Sequence, residues 1–217
     1  MNARGFFITM EGGEGVGKST NLAFLERLLT DGGVEVVVTR EPGGTLLGED
    51  IRQLLLQVRS ETVSAEAELL LIFAARAQHI HELIEPALAS GKTVLSDRFT
   101  DATYAYQCGG RRLDQQAVEQ LEQLVQGDLR PDYTILLDAP IEVGMVRARD
   151  RGELDRIEQE TMSFFERVRQ AYLRQANTHS GRYRIIDAAQ PLGEVQKSLV
   201  NFSSELLSRW NSSKEEL

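Results

Sequence analysis

The chain has 217 residues, 41% hydrophobic, 26% charged and 6% aromatic, with a formal net charge of −9. That length fits one domain with a substantial core, and the acidic balance argues against nucleic acid or a membrane surface as partner, since both call for a basic face. No apolar run approaches the roughly 20 residues that span a bilayer, no signal peptide is expected, and the single cysteine, Cys108, excludes an internal disulfide, so a cytoplasmic setting is expected.

Strand-like and helix-like segments alternate. Residues 6–10 form a short β-favouring run ahead of a glycine-rich stretch. Residues 18–30 carry Leu22, Leu25, Leu28 and Leu29 at helical spacing and stop at Gly32-Gly33. A β-branched run follows over 34–39, then a short helix over 48–56. Ser64 is placed to cap a helix reaching about residue 88, with Glu66 and Glu68 in its first turn favouring the positive end of the dipole. Pro86 is expected to adjust the end of that helix. Residues 93–96 read as a strand, Asp114 as the cap of a helix to about 126, and 133–137 as another buried strand. Helices over about 142–150 and 158–177, a strand over 183–186 and a helix from Pro191 to near 210 complete the pattern, with 211–217 expected to fray. The alternation predicts an α/β domain over 1–217, with a parallel sheet of five strands and helices on both faces.

Gly12-Gly13-Glu14-Gly15-Val16-Gly17-Lys18-Ser19 matches G-x-x-x-x-G-K-[S/T] completely, between a strand and a helix. Glycines let the backbone curl so that successive N–H groups face phosphate oxygens, and the helix N-terminus adds partial positive charge. Lys18 is expected to reach the β- and γ-phosphates of ATP, Ser19 to ligate Mg²⁺, and Thr20 to contact the α-phosphate. Glu14 is an odd occupant, because a carboxylate repels polyphosphate. It must either point away or meet a compensating positive charge.

Three later stretches narrow the reading: Thr39-Arg40-Glu41-Pro42-Gly43-Gly44-Thr45; Asp97 to Gln107 with Arg111-Arg112; and Arg147 to Glu158, which contains Arg151-Gly152-Glu153-Leu154-Asp155-Arg156. In this order and spacing, nearly the whole chain resembles bacterial thymidylate kinase. The resemblance implies a P-loop kinase fold, three-layer α/β/α, with strand order 2-3-1-4-5. It implies Mg²⁺-dependent transfer of the ATP γ-phosphoryl group to dTMP, giving dTDP and ADP for dTTP biosynthesis, and a homodimer. The competing readings are another P-loop nucleoside monophosphate kinase and a non-catalytic ATP-binding module; intact Lys18, Ser19, Asp97 and Arg98 argue against the latter.

Residue roles come from the same resemblance. Asp97 holds the Mg²⁺ water shell and Arg98 the acceptor phosphate. Glu41 acts near the acceptor nucleotide, often through Mg²⁺-bound water, and Arg52 grips the dTMP phosphate. Arg76 donates to a thymine carbonyl, with Phe73 as the expected stacking ring, although relatives carry Phe where this chain has Ile72. Thr103 and Gln107 read the N3 and O4 edge. Residues 147–158 form the lid, with Arg151 and Arg156 bringing positive charge to the transferring group and thereby offsetting Glu14. Arg147 and Arg149 either sit by the adenine or face solvent. His79 and His81 read as helix-face residues.

Overall fold

The computed structural model describes residues 4–150 and 155–215. Five parallel strands, β1 (Phe7–Glu11), β2 (Val36–Arg40), β3 (Thr93–Asp97), β4 (Tyr133–Asp138) and β5 (Tyr183–Asp187), form one sheet in the order β2-β3-β1-β4-β5. This is the predicted order, and β1 lies at its centre. Such a strand is buried on both faces, which is why it reads as a continuous apolar run.

Successive side chains still leave opposite faces. Ile8, Met10, Leu95, Ile135 and Leu137 join one core, formed with helix α1 (Lys18–Asp31) and the final helix, Leu192–Glu215. Phe7 and Val94 face the other side, where they meet Ile80, Ile84 and Phe99. Leu136 there meets Phe164, Phe165 and Tyr172. Sheet and two helical faces make the three layers.

The remaining helices are α2 (Leu46–Leu56), α3 (Ala65–His79), α4 (Glu85–Ala89), α5 (Thr100–Thr103), α6 (Gln115–Gln126), α7 (Ile141–Arg149), α8 (Met162–Thr178) and α9 (Leu192–Glu215). Ser64 caps α3 by accepting from the Ala67 amide (3.2 Å), and Asp114 caps α6 by accepting from Gln116 (3.1 Å), both as anticipated. Thr45 caps α2, which starts two residues ahead of the expected position, and Thr161 caps α8, which starts four residues after it.

Between α3 and α4 the chain makes a π-helical turn, Ile80–Ile84. Pro86 has no N–H to continue the ladder, and the backbone widens ahead of it. A second π-helical segment, Tyr104–Gly110, follows α5. Its small and polar residues gave no helical period. It is held instead by close packing on α8, where a Cβ on Gly109 would fall 2.7 Å from the Ala171 methyl. Cys108 packs beside Leu69, Phe73 and Val118, and burial pushes its thiol up to about 11. At the C-terminus, fraying is expected from residue 211, and residues 216 and 217 of that stretch lie outside the described residues. The helix runs to Glu215, with Trp210 packed against the core.

The carboxyl ends of the central strands gather charged groups beneath the phosphate loop. The loop backbone lies on α7 so closely that a Cβ on Gly15 would fall 1.8 Å from the Gly144 carbonyl. Glu11, at the end of β1, is fully buried. Its Oε1 accepts from the Phe99 amide (2.7 Å) and its Oε2 from the Tyr172 hydroxyl (2.8 Å). Burial, with the Asp101 charge adding to it, raises the Glu11 pKa to about 8 against the opposing pull of Arg98. A carboxyl raised in the folded state contributes stability below its unfolded pKa, and that contribution is lost as pH rises through the folded value. Glu11→Gln mimics the protonated group: its carbonyl oxygen can still accept from the Phe99 amide, and its NH₂ can donate to the Tyr172 hydroxyl. From about pH 5 to about pH 9, denaturant unfolding is therefore expected to show the variant gaining stability relative to wild type. Parallel stability profiles would contradict this.

Candidate active site

The phosphate loop curls through left-handed glycines, with Gly15 at φ 68° and Gly17 at φ 87°. Lys18 is buried, and its ammonium donates to the carbonyls of Gly13 (2.8 Å) and Gly12 (3.3 Å). Burial, then the charge of Arg98, lowers its pKa. Ser19 and Thr20 lie exposed in the first turn of α1. At the end of β3, Asp97 Oδ1 is buried and has no hydrogen-bond partner in the structure.

Arg98 occupies a left-handed turn (φ 71°), which is fixed from three sides. Its amide donates to Met10 O (3.0 Å), its carbonyl accepts from Ser96 Oγ (2.7 Å), and the next amide meets Glu11. The guanidinium then crosses to the loop. Nη1 donates to Gly12 O (2.9 Å) and the Tyr172 hydroxyl (3.0 Å), and Nη2 to Glu14 Oε1 (2.8 Å). The Tyr106 hydroxyl donates to the same Glu14 oxygen (2.6 Å). Glu14 therefore meets its positive charge at Arg98, within the loop's own neighbourhood. The expected lid residue Arg151 lies outside the described residues, as does the middle of the lid.

Next to the loop opens a solvent-connected cleft. Glu14 and Arg98 form one end of its wall, and Arg52, Arg76, Thr103 and Gln107 line the rest. Arg52 is anchored to Pro42 O (3.0 Å). Arg76 is only 1% exposed and lies against the rings of Phe73 and Phe99, with its guanidinium carbon 4.8 and 5.0 Å from their centroids. It donates through Nε to Glu41 Oε2 (2.7 Å) and through Nη2 to Thr103 Oγ1 (3.0 Å), while Nη1 has no partner.

Three of the expected site residues take the following places in the structure. Glu41 reaches the cleft, but Arg76 takes one of its oxygens and His79 Nδ1 (3.0 Å) lies against the other. Burial opposes ionisation of Glu41, and the charge of Arg76, followed by His79, outweighs burial and lowers the pKa. In this arrangement Glu41 orients Arg76. Phe73 does not line the cleft. It packs with Leu69 and Val118 under the Arg76 guanidinium, while Ile72 faces the opening. Arg156 docks on the cleft wall, donating to Leu55 O (2.7 Å) and Glu68 Oε2 (2.6 Å).

The sequence reading missed two polar anchors. Glu68 reads from the sequence as a dipole partner and His79 as a helix-face residue; both are buried, and His79 Nε2 lies 2.6 Å from Thr39 Oγ1. Glu68, Ile72, Arg76 and His79 are spaced four, four and three apart, which places them along one face of α3. That stripe was a legible signal. Nothing local marked Tyr172, whose partners come from distant segments.

The family model described as thymidylate kinase matches residues 10–199. A thymidylate kinase of Pseudomonas savastanoi pv. phaseolicola is 59% identical over 203 residues, covering 94% of this chain and 97% of that one. Another, from Pseudomonas putida strain W619, is 58% identical, with 89% and 93% covered. The crystal structure of thymidylate kinase from Ehrlichia chaffeensis superposes with a TM-score of 0.73 at 33% identity, covering 92% of this chain and 98% of that one. With the fold, the phosphate loop and the arginine-lined cleft in place, these similarities establish that the chain belongs to the thymidylate kinase family.

Proposed function

We propose that the phosphate loop holds ATP, that the adjoining cleft holds dTMP, and that Arg98 joins the two halves. The observation that carries this is the position of Arg98: it is bonded to Gly12 and Glu14 of the loop and is also part of the cleft wall. A dTMP phosphate oxygen attacks the γ-phosphorus. A new P–O bond forms as the bond to the β,γ-bridging oxygen breaks, and dTDP and ADP result. The acceptor phosphate is already a nucleophile near neutral pH, so no side-chain base is needed. Positioning and charge stabilisation carry the rate.

Each of the chain's groups has a place in that transfer. The backbone from Gly12 through Gly13, Glu14, Gly15, Val16 and Gly17 to Lys18 cradles the triphosphate, and Thr20 contacts its α-phosphate. Lys18 exchanges its loop carbonyls for phosphate oxygens. Arg52 and Arg98 hold the dTMP phosphate, and Arg76, Thr103 and Gln107 face the base. Glu41 keeps Arg76 in place. Mg²⁺ fits the residues present: the Ser19 hydroxyl is exposed at the start of α1, and the orphaned Asp97 oxygen suits a water of a metal's shell. Bound there, the ion would neutralise charge on the β- and γ-phosphates. The lid over about 147–158, with Arg151 and Arg156, closes the same single domain.

A homodimer and a cytoplasmic setting belong to this reading. Helices α2, α3 and α6 pack side by side and expose Leu54, Leu70 and Leu124, apolar surface suited to a second copy. No helix among the described residues is long and apolar enough to cross a membrane. Lys18→Ala and Arg98→Ala are each expected to lower kcat/KM for dTMP by about 100-fold or more, measured by coupled ADP release. Arg98→Ala should also raise KM for dTMP. A rate near wild type for either variant would contradict its role.

A further inference from the structure

Glu68 is 1% exposed and stands at the meeting point of three segments. Gln107 Nε2 donates to its Oε1 (2.9 Å), and Arg156 Nη2 to its Oε2 (2.6 Å). Arg111 donates to both oxygens, Nε to Oε1 (3.0 Å) and Nη2 to Oε2 (3.2 Å), and it also pairs with Glu160. Burial disfavours the charged carboxylate. Hydrogen bonds from Arg111, Arg156 and Gln107 outweigh burial and hold Glu68 below the usual carboxylate range. It is therefore an anion that only accepts.

That fixes the Gln107 amide. A carboxylate has no proton to give, so the NH₂ of Gln107 must face Glu68 and its carbonyl oxygen must face away. No described residue donates to that oxygen. Gln107 lines the cleft together with Arg76, whose Nη1 is buried without a partner. These two groups thus offer one acceptor and one donor. Thymine and uracil present the complement, a ring N–H and a carbonyl. Cytosine presents a ring nitrogen lone pair and an amino group, which would set acceptor against acceptor and donor against donor.

We propose that Glu68 is a specificity-positioning residue: by locking the Gln107 amide it selects a pyrimidine with a protonated ring nitrogen over cytosine. This rests on reading the cleft as the dTMP site. The pair does not separate dTMP from dUMP, which share the same edge. Arg156 ties the selection to the lid segment, because the guanidinium that docks this segment also holds Glu68 ionised.

The test is Glu68→Gln, whose amide can accept or donate and so frees Gln107 to turn. The ratio of kcat/KM for dTMP to that for dCMP is expected to fall by at least about tenfold, with KM for ATP unchanged. An unchanged ratio, or equal losses for both nucleotides, overturns the proposal while leaving the dTMP reading intact. Absence of dTMP phosphorylation by the wild-type protein overturns both. Should the variant not fold, side-chain amide NMR of the wild type decides. The Gln107 amide protons are expected to stay slow in solvent exchange and near their free position when dTMP binds. A large shift, with the amide donating to the base, overturns the proposal.

Discussion

The ion pair between Arg98 and Glu14 is the interaction on which the rest of the site depends. Each side chain is 15% exposed, and removing one partner of so enclosed a pair is costly. The pair therefore constrains the phosphate loop, the β3 turn and the α8 tyrosine together. It also accounts for a carboxylate in a phosphate-binding loop. Glu14 gives up its outward charge to a cation that the cleft requires in any case. Glu11 extends the constraint inward, through the Phe99 amide on one oxygen and Tyr172 on the other.

Two further carboxylates repeat the device deeper in the cleft. Glu41 sets Arg76 and Glu68 gathers Arg111 and Arg156. In each case a buried anion costs desolvation energy, and cations that reach the cleft offset it. An arginine's planar fork suits this use, since one edge can bind the anchoring anion while another nitrogen remains for a ligand. Arg76 Nη1 is such a nitrogen.

The parallel sheet and the phosphate loop were legible because they rest on local patterns: β-branched runs, helical leucines, glycine stops and a motif whose spacing is its mechanism; the strand order came from the family resemblance and not from these patterns. Helix boundaries moved where capping decided them, as at Thr45 and Thr161. The segment Thr100 to Gly110 was not legible, because its helical form comes from packing on α8 and carries no period of its own. The site divides in the same way. The arginines and Gln107 could be read from motifs, but which carboxylate faces which arginine depends on segments far apart in sequence, such as Glu41 with Arg76 or Glu68 with Arg156. Phe73 shows the limit most clearly. A shift of one position around α3 turns an expected base platform into support beneath Arg76.

The central claim is that Arg98 serves the phosphate loop and the cleft at once. A crystal structure with dTMP and a non-hydrolysable ATP analogue tests it most directly. The account predicts Arg98 still paired with Glu14 and touching the dTMP phosphate, with the analogue's triphosphate in the loop. An Arg98 swung away from both, or dTMP bound outside the Arg52–Arg76 cleft, would contradict it.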